Sequence, residues 1–152
     1  MTEALVHAKI QDLLQSLSTF DDADVSLRDY RILDANASPP YAVISATSFT
    51  GSGAAISYGE KHSFFWGVNI DLFVLPKEDN TDWAEILTVT WSVVYKLLQY
   101  FTLDSLSGIY GFTIAGDEPD YVKTIPGTKF LARTVSLSVH EKVDVSGGEY
   151  PT

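Results

Sequence analysis

The stretch Ser63-Phe64-Phe65-Trp66-Gly67-Val68-Asn69-Ile70-Asp71-Leu72-Phe73-Val74 decides the fold of this chain. Phe64, Trp66, Val68, Ile70, Leu72 and Val74 occupy every second position, the period at which a β-strand returns to the same side of a sheet. They predict one continuous apolar face. The opposite face reads Phe65, Gly67, Asn69, Asp71, Phe73, which is polar in the middle and aromatic towards both ends. A strand this long is about twice the usual run, so it needs neighbouring strands and a covering layer.

A strand partner lies near the end of the chain. From Lys129 to Val143, Leu131, Arg133, Val135, Leu137 and Val139 alternate with Ala132, Thr134, Ser136, Ser138, His140 and Lys142, and the length matches that of the first strand. Two helical patterns supply the cover. Val6, Ile10, Leu13, Leu14 and Leu17 recur at steps of three and four between about Thr2 and Leu17. A second helix is predicted from Asp82, with Glu85 in its first turn, to about Leu103. Its covering face is read as Trp83, Ile86, Leu87, Val94, Leu97, Leu98 and Phe101, widened by Trp91, Val93 and Tyr95. The expected core is Phe64, Trp66, Val68, Ile70 and Leu72 with Ile86, Leu87, Val94 and Leu98 above them and Val135, Leu137 and Val139 beside them.

Between these elements, Asp21-Asp22-Ala23-Asp24 reads as a turn, and Val25-Ser26-Leu27 and Arg31-Ile32-Leu33 as short extended pieces. Pro39-Pro40 ends them, because proline cannot donate to a sheet. Tyr41 to Phe49 is β-rich and predicts the strand before the long one. The link between the two, residues 50–62, is longer than the usual hairpin loop of about two to five residues. It is expected to form an extended arm that meets a neighbouring molecule. Pro76-Lys77-Glu78-Asp79-Asn80 closes the long strand. Ile109 to Ile114 suggests a further strand, Gly116 to Tyr121 and Ile125-Pro126-Gly127 read as loops, and residues 144–152 as a flexible tail. The whole, residues 1–152, is expected to be one α+β domain: a mainly antiparallel sheet with two helices packed on one face.

The composition narrows the function. Hydrophobic residues make up 45% and charged residues 20%, the balance of a folded chain. Twenty acidic against ten basic residues leave a net charge of −10, and such a surface repels a phosphate backbone. Lys77, Arg28, Arg31 and Arg133 form no basic block for nucleic-acid recognition. There is no cysteine, hence no disulfide framework, thiolate metal site or cysteine nucleophile. Met1-Thr2-Glu3-Ala4 lacks the basic end and continuous apolar run of a signal peptide, so none is expected there. The apolar run Ile86–Phe101 is broken by Thr88, Thr90, Ser92, Lys96 and Gln99, so no membrane span is expected.

Motifs for chemistry are sparse. His7, His62 and His140 are far apart, and no two have the helical spacing that presents a pair of imidazoles to zinc. There is no Gly-x-Ser-x-Gly elbow. Gly51-Ser52-Gly53 lacks the following Gly-Lys-Ser/Thr of a phosphate loop and reads as the tip of the arm. Asp117, Glu118 and Asp120 do not match a calcium loop and read as an exposed acidic turn. An enzyme, a metal site and a cofactor are therefore not expected. Phe65 and Phe73, facing away from the apolar side, together with Gly51, Ser52, Gly53, Ile56 and Tyr58 of the arm, make a candidate subunit interface.

The order of these elements resembles the tail-terminator, or tail-completion, proteins of long-tailed bacteriophages. The resemblance lies in an N-terminal amphipathic helix, a hairpin ending in His62-Ser63-Phe64-Phe65-Trp66-Gly67-Val68-Asn69-Ile70-Asp71, a long helix, and a closing strand from Phe130 to Val143. It implies a homo-oligomeric ring, commonly hexameric, that caps the head-proximal end of the tail tube, stops its polymerisation, and joins the neck. Its partners would be the tail-tube protein and a neck or head-completion protein. DNA would pass through the lumen without specific binding, and Asp117, Glu118 and Asp120 would face that lumen or solvent. The place implied is the virion, after assembly in the host cytoplasm. Two other readings share the same features: another neck or head-closure component, and a cellular α+β module that binds a small ligand beside the aromatic strand.

Overall fold

The long strand lies antiparallel to the C-terminal strand over its full length, from Lys61 opposite Asp144 to Val74 opposite Leu131. The computed structural model describes residues 3–27, 40–51, 61–100, 109–123 and 129–144. In chain order these hold α1 (Glu3–Gln15), a 3-10 turn (Asp22–Asp24), β1 (Val25–Leu27), β2 (Tyr41–Gly51), β3 (Lys61–Val74), α2 (Thr81–Gln99), β4 (Ile109–Gly116), β5 (Asp120–Lys123) and β6 (Lys129–Asp144). The six strands make one sheet ordered β1-β2-β3-β6-β4, with β5 also paired to β6. All pairs are antiparallel except β1 with β2. The fold is α+β.

One face of this sheet is the core. Trp66, Val68, Ile70, Leu72 and Val74 meet Ala42 and Ile44 of β2, Val135, Leu137 and Val139 of β6, and Phe112 of β4. Above them α1 lowers Val6, Ile10, Leu13 and Leu14, and α2 lowers Ile86, Val89, Val93, Val94 and Leu97. Each large aliphatic or aromatic side chain so enclosed contributes about 1.5–3 kcal/mol. Gln11 of α1 donates its side-chain N–H to the Val25 carbonyl at 3.0 Å, and Gln15 does the same to Asp22. These bonds hold α1 against the edge of the sheet.

Three expectations are corrected. Leu98 is 53% exposed, not core, and Trp83, Trp91 and Tyr95 likewise face outward. A helix of 3.6 residues per turn cannot turn all of these inward with Ile86, Val93 and Leu97; Val89 and Thr90 take the inward places instead. Phe64 and Leu87 are only partly buried, packed at the margin of the core. Finally, part of the turn read at Gly116–Tyr121 is strand: β5 begins at Asp120 and pairs Tyr121 with Leu131 of β6. The strands β2 and β3 also run further into the predicted arm than expected, so residues 52–60 remain, outside the described residues. Residues 28–39, 101–108 and the tail from 145 lie outside them as well.

Candidate assembly surfaces

The second face of the sheet carries no helix among the described residues. Its middle is a ladder of short polar side chains. Thr134 donates its hydroxyl to Asp71 at 2.6 Å and Ser136 donates to Asn69 at 3.0 Å. Both pairs stand directly opposite in the β3–β6 register, where same-face side chains are close enough to bond.

A bulge shapes the end of this face. Ala46 pairs with Val68 but Phe49 with Trp66, so β2 holds one residue more than β3 there. The bulge swings Thr47 over Gly67, and its hydroxyl occupies the space that a β-carbon at Gly67 would need. A shallow depression of about 310 Å³ results, lined by Thr47, Ser48, Gly67, Thr113, Ser136 and Ser138 among others.

Beside the depression stands an aromatic column drawn from three strands. Phe65 stacks on His140 with ring centres 4.5 Å apart and planes 11° apart, and Tyr110 of β4 approaches the same imidazole at 5.3 Å. Lys142 lies 5.8 Å from the Tyr110 ring centre. Phe65 is 43% and Tyr110 55% exposed. Such rings on an otherwise short-chain surface offer rigid, amphipathic contact area of the kind enriched in protein interfaces.

Phe73, expected beside Phe65 on the exposed surface, is instead buried at 5% exposure. It packs edge-on against Phe130 at 5.8 Å, which in turn meets Tyr41 at 5.9 Å. With Val43 these form a small second core on the far face. The reason is the sheet's breadth at that end. β2 and β6 both bring an aromatic to the same side, so Phe73 finds its cover within the chain. Of the other proposed interface residues, Gly51 ends β2, and Ser52, Gly53, Ile56 and Tyr58 lie outside the described residues.

The acidic turn is exposed, but Asp117 is engaged. Its carboxylate accepts the Thr134 N–H at 2.9 Å, and its carbonyl accepts the Arg133 Nε–H at 2.9 Å. Asp117 thus extends the β4–β6 pairing past Gly116. Glu118 and Asp120 are exposed, and the Asp120 carboxylate accepts the N–H of Tyr121.

Two buried features escaped the sequence reading. Glu141 is 4% exposed and accepts the Trp66 indole N–H at 3.1 Å. Burial pushes its carboxyl above the usual range, and the bond from Trp66 opposes that shift. His7 of α1 lies 6.3 Å from the Trp66 ring, and burial lowers its imidazole while Glu3 pulls the other way. At the start of α2, Asp82 is fully buried. Burial would raise its carboxyl, yet hydrogen bonds from the backbone of Lys77, the Tyr121 hydroxyl and the Trp83 N–H outweigh it and hold it below the usual range. An acidic residue in a helix's first turn was legible; that it reaches Tyr121 of β5 was not. Among the described residues no cluster of His, Asp and Glu is placed to hold a metal ion. His7 and His140 lie on opposite faces of the sheet.

The outer side of α2 is the other exposed surface. Trp83, Leu87, Trp91, Tyr95 and Leu98 follow one another at steps of four, four, four and three, a single ridge along the helix. Trp91 is 63% and Tyr95 67% exposed. No protein-family model matches the chain, and no curated protein sequence matches it.

Proposed function

We propose that this chain is a virion assembly protein, the tail terminator of a long-tailed bacteriophage. Copies join side by side in a ring, expected to be hexameric, that caps the head-proximal end of the tail tube, ends its growth and receives the neck. The bore of that ring passes DNA, and the net charge of −10 suits a wall that must not retain it.

The observation that carries this reading is the sheet face that carries no helix among the described residues, with the exposed column Phe65–His140–Tyr110. A ring needs a heterologous contact, one surface of each copy fitting a different surface of the next. The sheet has two unlike edges, β1–β2 on one side and β4 on the other. A copy joined at one edge presents the other to its neighbour, with the aromatic column beside β4 as the anchor. Glu118 and Asp120, with Asp117, supply acidic surface to the bore.

The test is assembly. Purified protein is expected to sediment as a closed ring, to show a central hole by electron microscopy, and to bind the ends of purified tail tubes. Phe65→Asp is expected to abolish the ring while leaving the fold intact. Protein that stays monomeric and ignores tube ends overturns the reading. The depression of about 310 Å³ beside Phe65 favours a small-ligand module as the competitor, since it falls at the low end of ligand-pocket volumes. That reading requires a small molecule that raises the melting temperature of a monomer.

A further inference from the structure

The ridge on the outer side of α2 is too apolar for a surface left in water. Trp83 is 47%, Trp91 63%, Tyr95 67% and Leu98 53% exposed. With an aromatic side chain worth roughly 150–250 Å² of surface, the four expose on the order of 400 Å² or slightly more. A patch of this size ranks with the largest on a typical monomer, and such patches are often functional. We propose that this ridge pairs with the same ridge of a second copy, antiparallel, about a two-fold axis at the level of Val93. In that register Trp91 of one copy packs on the partner's Tyr95, and Leu98 covers the partner's Thr88.

Three observations select a second copy as the occupant. The first is charge. A chain of net charge −10 repels itself over most of its surface, but Ile86 to Tyr95 contains no charged residue. Two copies meeting there bring no like charges together.

The second is relief. A groove of about 610 Å³ runs beside the ridge, lined by Leu87, Thr88, Trp91, Ser92 and Tyr95. Its floor is small because Thr88 and Ser92 stand between larger neighbours. Their hydroxyls are turned back onto the helix: Thr88 donates to the Ala84 carbonyl and Ser92 to the Thr88 carbonyl, each at 2.9 Å. Both can be covered without stranding a donor. One helix therefore carries the ridge and the matching groove, the requirement for an isologous contact.

The third is area. Trp91, Tyr95 and Leu98 of the two copies together bury on the order of 700 Å², less than a stable specific interface, and Trp83 falls beyond the end of the partner's helix. The pairing is accordingly weak and concentration-dependent. It does not depend on the tail-ring reading, since a two-fold contact pairs copies and cannot itself close a ring. In a ring, the same contact would join two rings back to back.

Light scattering on the full chain from about 1 to 200 µM tests the pairing, with Trp91→Glu and Tyr95→Lys as variants and circular dichroism to confirm their fold. The wild-type mass is expected to rise with concentration to twice that of either variant. An equimolar mixture of the two variants is expected to recover it. The carboxylate introduced at position 91 of one variant would then face the ammonium introduced at position 95 of the other, while the remaining Tyr95 and Trp91 meet across the axis. A wild-type mass that neither variant changes overturns the proposal, whether that mass is a monomer or a ring. Variants that dissociate but do not recover on mixing overturn the antiparallel register. A ring whose mass neither variant halves sinks the pairing and leaves the tail-ring reading standing. A dimer that the variants split, with no ring at any concentration, does the reverse.

Discussion

Trp66 donates its indole N–H to the Glu141 carboxylate across 3.1 Å, joining residues 75 positions apart inside the core. Trp66 is 3% exposed, so its ring and its single donor are both committed. Trp66→Ala is expected to cost about 3–5 kcal/mol. Trp66→Phe keeps much of the packing but takes the donor from a buried carboxylate, at about 1.5–3 kcal/mol. Denaturant midpoints of the two variants separate the contributions, and a Trp66→Phe midpoint equal to that of the wild type would mean that the bond carries nothing.

Glu141 sets a pH dependence of known sign. Burial raises its carboxyl above 4.5, so the folded state favours the protonated form. The stability this contributes is fully present below 4.5 and is lost as pH rises through the folded-state pKa. Glu141→Gln is expected to flatten the urea-midpoint curve in that window. A curve unchanged by the substitution would place the titrating group elsewhere.

His7 acts in the opposite sense. Burial holds its imidazole below 6.5, so its contribution is present above 6.5 and is lost as pH falls through the lowered value. An NMR titration of the His7 ring is expected to show a midpoint below 6.5, and His7→Gln to remove the matching slope in stability. A midpoint at or above 6.5 contradicts the buried setting.

A β-carbon at Gly67 would collide with the hydroxyl of Thr47 and lie 3.2 Å from the Thr47 β-carbon, so Thr47 must give way to admit one. Gly67→Ala is expected to destabilise by about 1–3 kcal/mol, as overpacking does. Adding Thr47→Ala removes the hydroxyl and should return most of that loss. The coupling appears in a double-mutant cycle, and simple additivity would show that the bulge is not what excludes a side chain.

Tyr121 ties β5 to the start of α2 through its hydroxyl bond to Asp82 at 3.0 Å. That bond, with burial second, raises the Tyr121 phenol above 10.0. Its contribution is present below 10.0 and is lost as pH rises through the folded-state value, whereas that of Asp82 is lost as pH falls through its lowered one. Tyr121→Phe is expected to lower the melting temperature and to speed amide exchange in Asp120–Lys123. Unchanged exchange would mean that pairing with β6 alone secures β5.

The alternation in Phe64–Val74 and in Leu131–Val139 specified two long strands with one apolar side, and chain periodicity was enough because each strand carries its own two-residue repeat. The same logic failed on α2. That helix is apolar around most of its circumference, so its residues could not say which arc met the sheet; packing against β3 and β6 turned Ile86, Val93 and Leu97 inward and left Trp91 and Tyr95 outside. The strand at Asp120 was hidden for a related reason. A four-residue segment among Gly, Asp and Pro has turn composition, and only its place beside Lys129–Ala132 makes it a strand.

The composition by itself determined a charge of −10 and an absence of cysteine, and the local patterns determined an α+β sheet with helices on one side. Pairings across the chain were decided only by the tertiary structure. Phe73 was drawn into a second core by Tyr41 and Phe130, Phe65 was set against His140 and Tyr110, and Glu141 was brought to Trp66. The physical reason is that a side chain's exposure depends on what the neighbouring strands place opposite it, and strand order and register join residues that no local repeat connects.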